Sequence, residues 1–231
     1  MKILITGASG SLGGGCLRQC LSHPKISIVV AFVRRELPAD ISSHPKLKCV
    51  VIKDFSQWPE DVLQGHADAA GMIWAMGSYK GSREADLEYP LAFSAAMARV
   101  LETKPARAPF RYVHLGGMFT RQDQEKKLWW LEYPRKIRGL AEAEVMKFAH
   151  SHDRVWTTIV VRPGAVVTEN IFGARTIVAV LGENWCVGIE ELRVFMTHLV
   201  IGGEEGNSIF ENARIARQGK ELMKSEEYSM S

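Results

Sequence analysis

The chain has 231 residues, and 29 Lys and Arg against 26 Asp and Glu give it a formal net charge of +3. Hydrophobic residues make up 46% of the sequence and charged residues 24%, values typical of a soluble globular domain. The apolar content is too high and the net charge too low for a disordered chain. No basic block indicates a nucleic-acid binder. The length fits one domain that buries a full core without disulfides or metal.

The N-terminus passes directly from Met1 into a short strand and a Gly-rich turn, which predicts no signal peptide. No apolar run reaches the roughly 20 residues that a membrane-spanning helix needs. The four cysteines form no C-x-x-C pair, so we expect free thiols, mostly in the core, and no metal site. These features favour a cytoplasmic protein with no membrane or nucleic-acid partner.

Strands and helices alternate along most of the chain. We predict strands at 2–6, 26–33, 47–52, 70–76, 110–115 and 155–161, and helices at 11–23, 88–102 and 135–151. This order predicts an α/β fold with a doubly wound parallel sheet of the Rossmann type and helices on both faces. In the helix near residue 140, an apolar stripe is predicted to face the sheet, and Arg138, Glu142 and Lys147 are assigned to the polar face.

The pattern loosens after Pro163-Gly164. We predict one more helix at 190–201, a short strand at 208–210 and a charged tail that frays from Gln218 onward. No linker divides the sequence, so we expect residues 1–231 to form a single domain. Its last part, from about 165 to 231, is expected to form a short C-terminal segment that caps the substrate.

The strongest motif is a glycine-rich turn, Gly7-Ala8-Ser9-Gly10-Ser11-Leu12-Gly13, between the first strand and the first helix. Gly7 permits a sharp exit from the strand, Gly10 leaves room for a pyrophosphate, and Gly13 lets the helix pack closely on the sheet. Backbone N–H groups and the positive helix end then face the phosphates. The motif predicts a nucleotide site, with a purely structural turn as the alternative.

With GASGxxG after a compact first strand, the chain resembles the short-chain dehydrogenase/reductase superfamily, most closely its atypical, NmrA-like branch. The resemblance runs from Met1 to about Gly164. It implies a Rossmann fold with an NAD(P) cleft at the carboxyl ends of the strands. It also implies an adenine contact at Asp54 and cleft positions on the ribose and nicotinamide side at Ala75, Met76, Gly77, Pro163 and Gly164.

The residues after the second strand bear on the choice of cofactor. Arg34 and Arg35 stand where NAD-binding proteins carry an acidic residue for the ribose hydroxyls. Two guanidinium groups favour a 2′-phosphate, because arginine forms bidentate, charge-assisted pairs with phosphate. NADP is therefore favoured over NAD, although Glu36 keeps NAD open.

The catalytic pattern of the superfamily is incomplete. The resemblance implies a Ser after the fifth strand and Y-x-x-x-K on the next helix, but Gly116 and Gly117 follow that strand. One register uses Tyr133 with Lys136 three residues on. The favoured register uses Arg138-Gly139-x-x-Glu142. It places Arg138 in the Lys position and Pro134, four residues earlier, in the Tyr position.

A histidine at the end of the fifth strand is a candidate general acid or base. His114 stands where the strand meets the cleft, and its ordinary pKa suits proton transfer near neutral pH. The alternative is a strand-end histidine that hydrogen-bonds to the backbone. The arginine of the favoured register, Arg138, neither donates nor accepts a proton at neutral pH.

Aromatic and sulfur-containing residues gather near the expected cleft. As a set they predict a flat, apolar substrate pocket for a polycyclic or aromatic molecule; they are Trp74, Met76, Tyr79, Met118, Phe119, Trp129 and Trp130.

Three functions stay open from the sequence. The favoured hypothesis is an NADP(H)-dependent oxidoreductase that acts on a small, apolar or polycyclic molecule. The second is a non-redox isomerase, dehydratase or cyclase of secondary metabolism, and the third is an NADP-sensing regulator without turnover. The expected partner is a small-molecule substrate, and a homodimer stays open.

Overall fold

The structure is a computed structural model that describes residues 1–105, 107–168, 182, 184–204 and 206–230. Seven parallel strands form the main sheet: β1 (Lys2–Thr6), β2 (Ile28–Val33), β3 (Leu47–Val51), β4 (Gly71–Trp74), β5 (Phe110–Leu115), β6 (Trp156–Arg162) and β9 (Ser208–Glu211). Their order across the sheet is β3-β2-β1-β4-β5-β6-β9. A separate parallel pair consists of β7 (Ala165–Val167) and β8 (Cys186–Gly188). The sequence did not predict β7 or β8.

The described helices are α1 (Ser11–Ser22), α2 (Ala39–Ser42), α3 (Glu60–Gln64), α4 (Tyr89–Glu102), α5 (Glu132–Ser151), α6 (Ile189–Val200) and α7 (Asn212–Met230). A π-helical turn at Glu84–Glu88 leads into α4. The predicted strands and longer helices are present, with their ends displaced by three residues at most. Helices α2 and α3 were not predicted because a single turn is too short to show a helical period.

Helices cover both faces of the sheet, and side chains alternate between the two faces along each strand. Ile3 and Ile5 of β1 face the layer formed by α1 and α6, where they pack with Cys16 and Phe195. The intervening Leu4 belongs to the opposite cluster, which includes residues of α4 and α5. The predicted doubly wound sheet is confirmed.

The C-terminal quarter contributes to this architecture. Strand β9 pairs with β6 as the last strand of the main sheet, and α6 belongs to the helical layer beside α1. The structure therefore places these two elements in the Rossmann unit rather than in a cap. The other described elements of the expected cap are β7, β8 and α7, and residues 169–181, 183, 205 and 231 lie outside the described residues.

Three predictions about helices were wrong. The tail from Gln218 does not fray at that point, because α7 continues to Met230 and is anchored by apolar residues such as Ile215 and Ala216 in the core. Helix α5 begins at Glu132 rather than at residue 135, because Pro134 is tolerated in a first helical turn. Glu142 is fully buried rather than on the polar face of α5.

Of the helices in the described ranges, none combines the length and the apolar character that crossing a bilayer requires.

A glycine of α5 generates a test of this packing. A Cβ atom at Gly139 would lie 2.0 Å from the Arg121 carbonyl oxygen. An alanine in a helix normally stabilises relative to glycine by about 1 kcal/mol, but here the clash dominates. We expect Gly139→Ala to lower the free energy of unfolding by about 1–3 kcal/mol in urea denaturation. Glu144→Ala, on the same helix, is the control, and equal stability of the two variants would contradict the assigned contact.

Candidate functional site

The candidate site lies at the carboxyl edge of the main sheet. Strand β1 is flanked by β2 on one side and by β4 on the other, so the strand order changes direction there. In open α/β sheets, ligands bind in the crevice that this change of direction opens beyond the strand ends. The glycine turn leaves β1 into this crevice.

The glycine turn packs backbone against backbone. Gly7 has a positive φ of 73°, and a Cβ atom there would lie 2.5 Å from the Ala75 carbonyl oxygen. A Cβ atom at Gly13 would lie 2.2 Å from the Gly7 carbonyl oxygen. The Gly10 N–H donates to that same oxygen at 2.9 Å. Any side chain at Gly7 or Gly13 would therefore push the turn away from the sheet.

The first turn of α1 offers N–H groups to an anion. Gly10 is the N-cap of α1, and no side chain there accepts a hydrogen bond from the helix. Ser9, Gly10 and Ser11 are exposed, whereas Ala8 is buried and Leu12 half-buried. A close backbone cradle beside open N–H groups at a helix N-terminus fits a pyrophosphate. The residues present therefore fit the dinucleotide that the fold implies.

Arg34 and Arg35 are exposed just after β2. Within the described part of the chain, neither forms an ion pair or a side-chain hydrogen bond. Asp54, also exposed, accepts hydrogen bonds from the Ser56 N–H at 2.9 Å and the Ser56 hydroxyl at 2.7 Å. These bonds lower the pKa of the Asp54 carboxyl. Both arginines are therefore available to a charged ligand.

A buried carboxylate organises the loop after β4. Asp86 accepts hydrogen bonds from the N–H groups of Ser78, at 2.9 Å, and Ser82, at 2.7 Å. Arg138 Nε lies 3.8 Å from Asp86 Oδ1, and Arg138 Nη2 donates to the Ser78 carbonyl oxygen at 2.5 Å. A Cβ atom at Gly77 would lie 2.8 Å from Asp86 Oδ1. The loop that carries Gly77 is therefore held in place by the buried Asp86 carboxylate and by the Arg138 guanidinium.

The helix residues proposed for catalysis point to different places. Arg138 reaches the cleft, since a Cβ atom at Gly117 would lie 3.8 Å from its Nη1. Lys136 instead pairs with Glu132 at 3.1 Å. Tyr133 is 55% exposed and lies beside Gly81. The structure therefore brings Arg138, but neither Tyr133 nor Lys136, to the ends of β4 and β5.

His114 lies inside the protein beneath α4 and α5. Its side chain stacks on Tyr112, and its Nδ1 is 3.4 Å from the Tyr112 hydroxyl. The residue is 4% exposed, and burial lowers its pKa from 6.5 to about 4. His114 is therefore neutral near pH 7, with an aromatic residue of its own strand as its neighbour.

Sequence reasoning missed a buried ion pair at the end of β6. Glu142 accepts hydrogen bonds from Arg162 Nε at 2.9 Å and Nη2 at 2.7 Å, and from the Thr120 hydroxyl at 3.1 Å. Burial raises the pKa of Glu142, against the effect of Arg162. The signal was the Glu in Arg-Gly-x-x-Glu, which the helical period assigned to the polar face.

A second missed residue supports the loop after β6. Asn212 is buried at the start of α7, where its Oδ1 accepts from the Gly164 N–H at 2.6 Å and its Nδ2 donates to the Cys186 carbonyl oxygen at 2.9 Å. The Pro163 carbonyl oxygen accepts from the Met118 N–H at 2.9 Å. No local pattern predicts these contacts, because Asn212 lies 48 residues from Gly164.

The aromatic and sulfur-containing residues predicted to form one pocket lie in different environments. Trp74 is core and Met76 packs against that core, while Tyr79 and Trp129 are each 95% exposed. Phe119 lies between Trp130 and Trp185, with ring centroids 6.2 and 6.1 Å away. We call Phe119, Trp130 and Trp185 the aromatic platform; all three are about half exposed. Trp185 was not in the predicted set.

The pKa of His114 gives a testable pH dependence. The unfolded chain takes up a proton near pH 6.5, whereas folded His114 stays neutral down to about pH 4. Its contribution to stability is therefore complete above pH 6.5 and is lost as the pH falls toward 4, by about 3 kcal/mol. We expect His114→Phe to reduce the slope of unfolding free energy against pH in this window. His150→Phe, at an exposed position on α5, should keep it, and an unchanged slope in His114→Phe would refute the assignment.

Comparisons with known proteins bear on the fold. No protein-family model matches the chain. The protein FMP52, mitochondrial, of Saccharomyces cerevisiae is 40% identical over 60 residues, which span 26% of this chain and a quarter of that protein.

Two solved structures resemble nearly the whole chain. The oxidoreductase ylbE from Lactococcus lactis is 19% identical with a TM-score of 0.66, covering 97% of this chain and 96% of that one. UDP-glucuronic acid 4-epimerase from Bacillus cereus, in complex with NAD, is 12% identical with a TM-score of 0.63, covering 91% and 78%. These likenesses confirm the Rossmann fold, and they agree with the resemblance to the short-chain superfamily at the level of the fold.

Proposed function

We propose that this chain binds NADP(H) and acts as an oxidoreductase on a small apolar molecule. The observation that carries the proposal is the glycine turn, a side-chain-free cradle at the point where the strand order reverses. The fold is shared with an oxidoreductase and with an epimerase that holds NAD. Those likenesses support a nicotinamide cofactor, and the two arginines after β2 support the 2′-phosphate.

Each part of the cleft has a role in this proposal. The N–H groups of residues 11–13, in the first turn of α1, hold the pyrophosphate, and Arg34 and Arg35 pair with the 2′-phosphate. The side chain of Asp54 and the loop at residues 75–77 line the adenosine side and the middle of the cleft. Pro163 and Gly164 line the nicotinamide side, where Asn212 fixes the Gly164 N–H.

The bound nicotinamide supplies or accepts the hydride. The chain's own residues contribute mainly position and charge. Arg138 presents a permanent cation beside Gly117, which suits ribose hydroxyls but moves no proton. Pro134 occupies the place of the Tyr in the favoured register, and neutral His114 is buried against Tyr112. We therefore assign the catalysis to orientation of the substrate rather than to a Tyr proton donor, and the proton that a reduced carbonyl oxygen takes up would come from water.

The aromatic platform is the proposed substrate wall. Met118 and Phe119 follow β5 and are tied to Pro163 by the Met118 N–H, while the Trp185 carbonyl oxygen accepts from the Ala165 N–H at 2.8 Å. The platform is therefore attached to the nicotinamide side of the cleft. Three half-exposed rings favour a flat, apolar molecule.

A second candidate function is an NADP-binding sensor without turnover. The observation that favours it is the pair Gly116 and Gly117 where the superfamily places a Ser.

Consumption of NADPH with a flat ketone or quinone supports the oxidoreductase. Turnover without nucleotide supports an isomerase, a dehydratase or a cyclase, and tight nucleotide binding without turnover of any substrate supports the sensor.

The two arginines test the cofactor. We expect the double variant Arg34→Ala, Arg35→Ala to weaken NADPH binding by about tenfold or more, because each lost charge pair with phosphate is worth over 1 kcal/mol. NADH affinity should stay nearly unchanged, since NADH lacks the 2′-phosphate. Both affinities are measured by isothermal titration calorimetry.

The control for this test is Lys147→Ala, which removes a cation from the exposed face of α5. Its NADPH affinity should equal that of the wild type. Equal losses for NADPH and NADH in the double arginine variant would rule out the 2′-phosphate assignment, and no measurable binding of either nucleotide to the wild type would overturn the proposed function.

The platform is tested with 9,10-phenanthrenequinone as a flat probe. We expect Phe119→Ala to weaken its binding by about fivefold or more, because a ring contact contributes about 1 kcal/mol. Affinity is read from quenching of tryptophan fluorescence, and every tryptophan is kept in this variant. Trp129→Phe changes a ring outside the platform and should bind the probe like the wild type. Unaltered affinity in Phe119→Ala would remove the platform from the substrate site.

A further inference from the structure

The buried carboxylate of Glu142 joins three segments of the chain. Glu142 belongs to α5, Arg162 is the last residue of β6, and Thr120 lies in the loop after β5. All three meet at Glu142 Oε2, with donor distances between 2.7 and 3.1 Å. Arg162 also donates from Nη1 to Glu211, at the end of β9, at 2.8 Å. We call Thr120, Glu142 and Arg162 the brace.

The other carboxylate oxygen is fitted to a glycine. A Cβ atom at Gly116 would lie 2.2 Å from Glu142 Oε1. Gly116 is the first residue after β5, where the superfamily resemblance places a Ser. In this chain the Glu142 carboxyl fills the volume that a side chain at residue 116 would need. The buried Glu142 carboxyl therefore leaves no room at residue 116 for the Ser of the superfamily pattern.

The brace is costly to bury. Glu142 is 0% exposed, and burial is the largest effect on its pKa, which is raised. The pKa of Arg162 is also raised, because its two carboxylate partners outweigh burial. A buried ion pair often stabilises no more than apolar residues of the same volume would. Two guanidinium N–H groups that donate to one buried oxygen fix the geometry of the pair, which is better suited to holding segments in place than to adding stability.

The segments that the brace holds belong to one half of the cleft. Arg162 directly precedes Pro163 and Gly164, and the Met118 N–H bonds the Pro163 carbonyl oxygen. Thr120 follows Phe119 of the platform. The glycine turn and the two arginines after β2 lie on the far side of β4, and among the described residues neither forms a hydrogen bond or an ion pair with the brace.

We infer that Glu142 is a positioning residue that fixes the nicotinamide half of the dinucleotide site, through Arg162 and Thr120, while the adenosine half is independent of it. This inference rests on the proposed function, because it assumes that the cleft binds NADP(H). It assigns no proton transfer to Glu142, whose carboxyl is enclosed by the protein.

The test compares two nucleotides in Glu142→Gln. NADPH carries both halves, whereas adenosine 2′,5′-bisphosphate carries the 2′-phosphate and adenine but no nicotinamide. Glutamine keeps the size of the side chain but removes the negative charge with which Arg162 pairs. We expect the affinity for NADPH to fall by about fivefold or more, while the affinity for the bisphosphate stays within about twofold of the wild type.

The control variant is Glu144→Gln, the same change on the same helix at a half-exposed position, which should alter neither affinity. Parallel losses for both nucleotides in Glu142→Gln, or no loss for either, overturn the inference while the proposed function stands. A wild-type protein that binds neither nucleotide overturns the proposed function itself. Turnover is not needed for any of these readings.

A double-mutant cycle tests the fit between Gly116 and Glu142 without any ligand. We expect Gly116→Ala to lower the melting temperature of the wild type, because the added Cβ meets the carboxyl. In a Glu142→Ala background the same change should cost much less, since the space is then empty. Equal losses in the two backgrounds would show that residue 116 and Glu142 are not sterically coupled.

Discussion

The contact on which the site depends is the approach of one bare backbone to another. The Gly7 carbonyl oxygen lies where a side chain at Gly13 would begin, and the Ala75 carbonyl oxygen lies where one at Gly7 would begin. Three segments meet with no side chain between them. The N-terminus of α1 is therefore held against the ends of β1 and β4, and its open N–H groups face the crevice.

Buried charges shape the other half of the cleft. Asp86 and Arg138 hold the loop after β4, and Glu142 and Arg162 hold the segments after β5 and β6. Both carboxylates are buried, and each occupies space left by a glycine, Gly77 or Gly116. In this protein, Gly7 and Gly13 make room for backbone, whereas Gly77 and Gly116 make room for buried carboxylates.

The sequence predicted the elements that have a strong local pattern. Apolar β-branched runs predicted the strands of the first three quarters, and the glycine motif placed the turn at its strand and helix. Contacts between distant residues were not predictable. The period of α5 assigned Glu142 to solvent because its partners, Thr120 and Arg162, are 22 and 20 residues away. Asn212 and Trp185 belong to segments whose placement is determined only by the tertiary fold. Ile215 and Ala216 anchor α7 in the core, although the charged composition of its last part indicated a frayed tail.

The packing of α6 on α1 has a consequence for how the chain folds during its synthesis. Arg193 of α6 donates to the Ser11 carbonyl oxygen at 3.1 Å and fills the space beside Gly15, and Cys20 of α1 contacts Thr197. Both contacts span more than 170 residues. A chain emerging from the ribosome therefore makes its glycine turn at the outset but leaves one apolar side of α1 uncovered until α6 is made. Folding of the N-terminal half is thus completed by the last quarter of the protein.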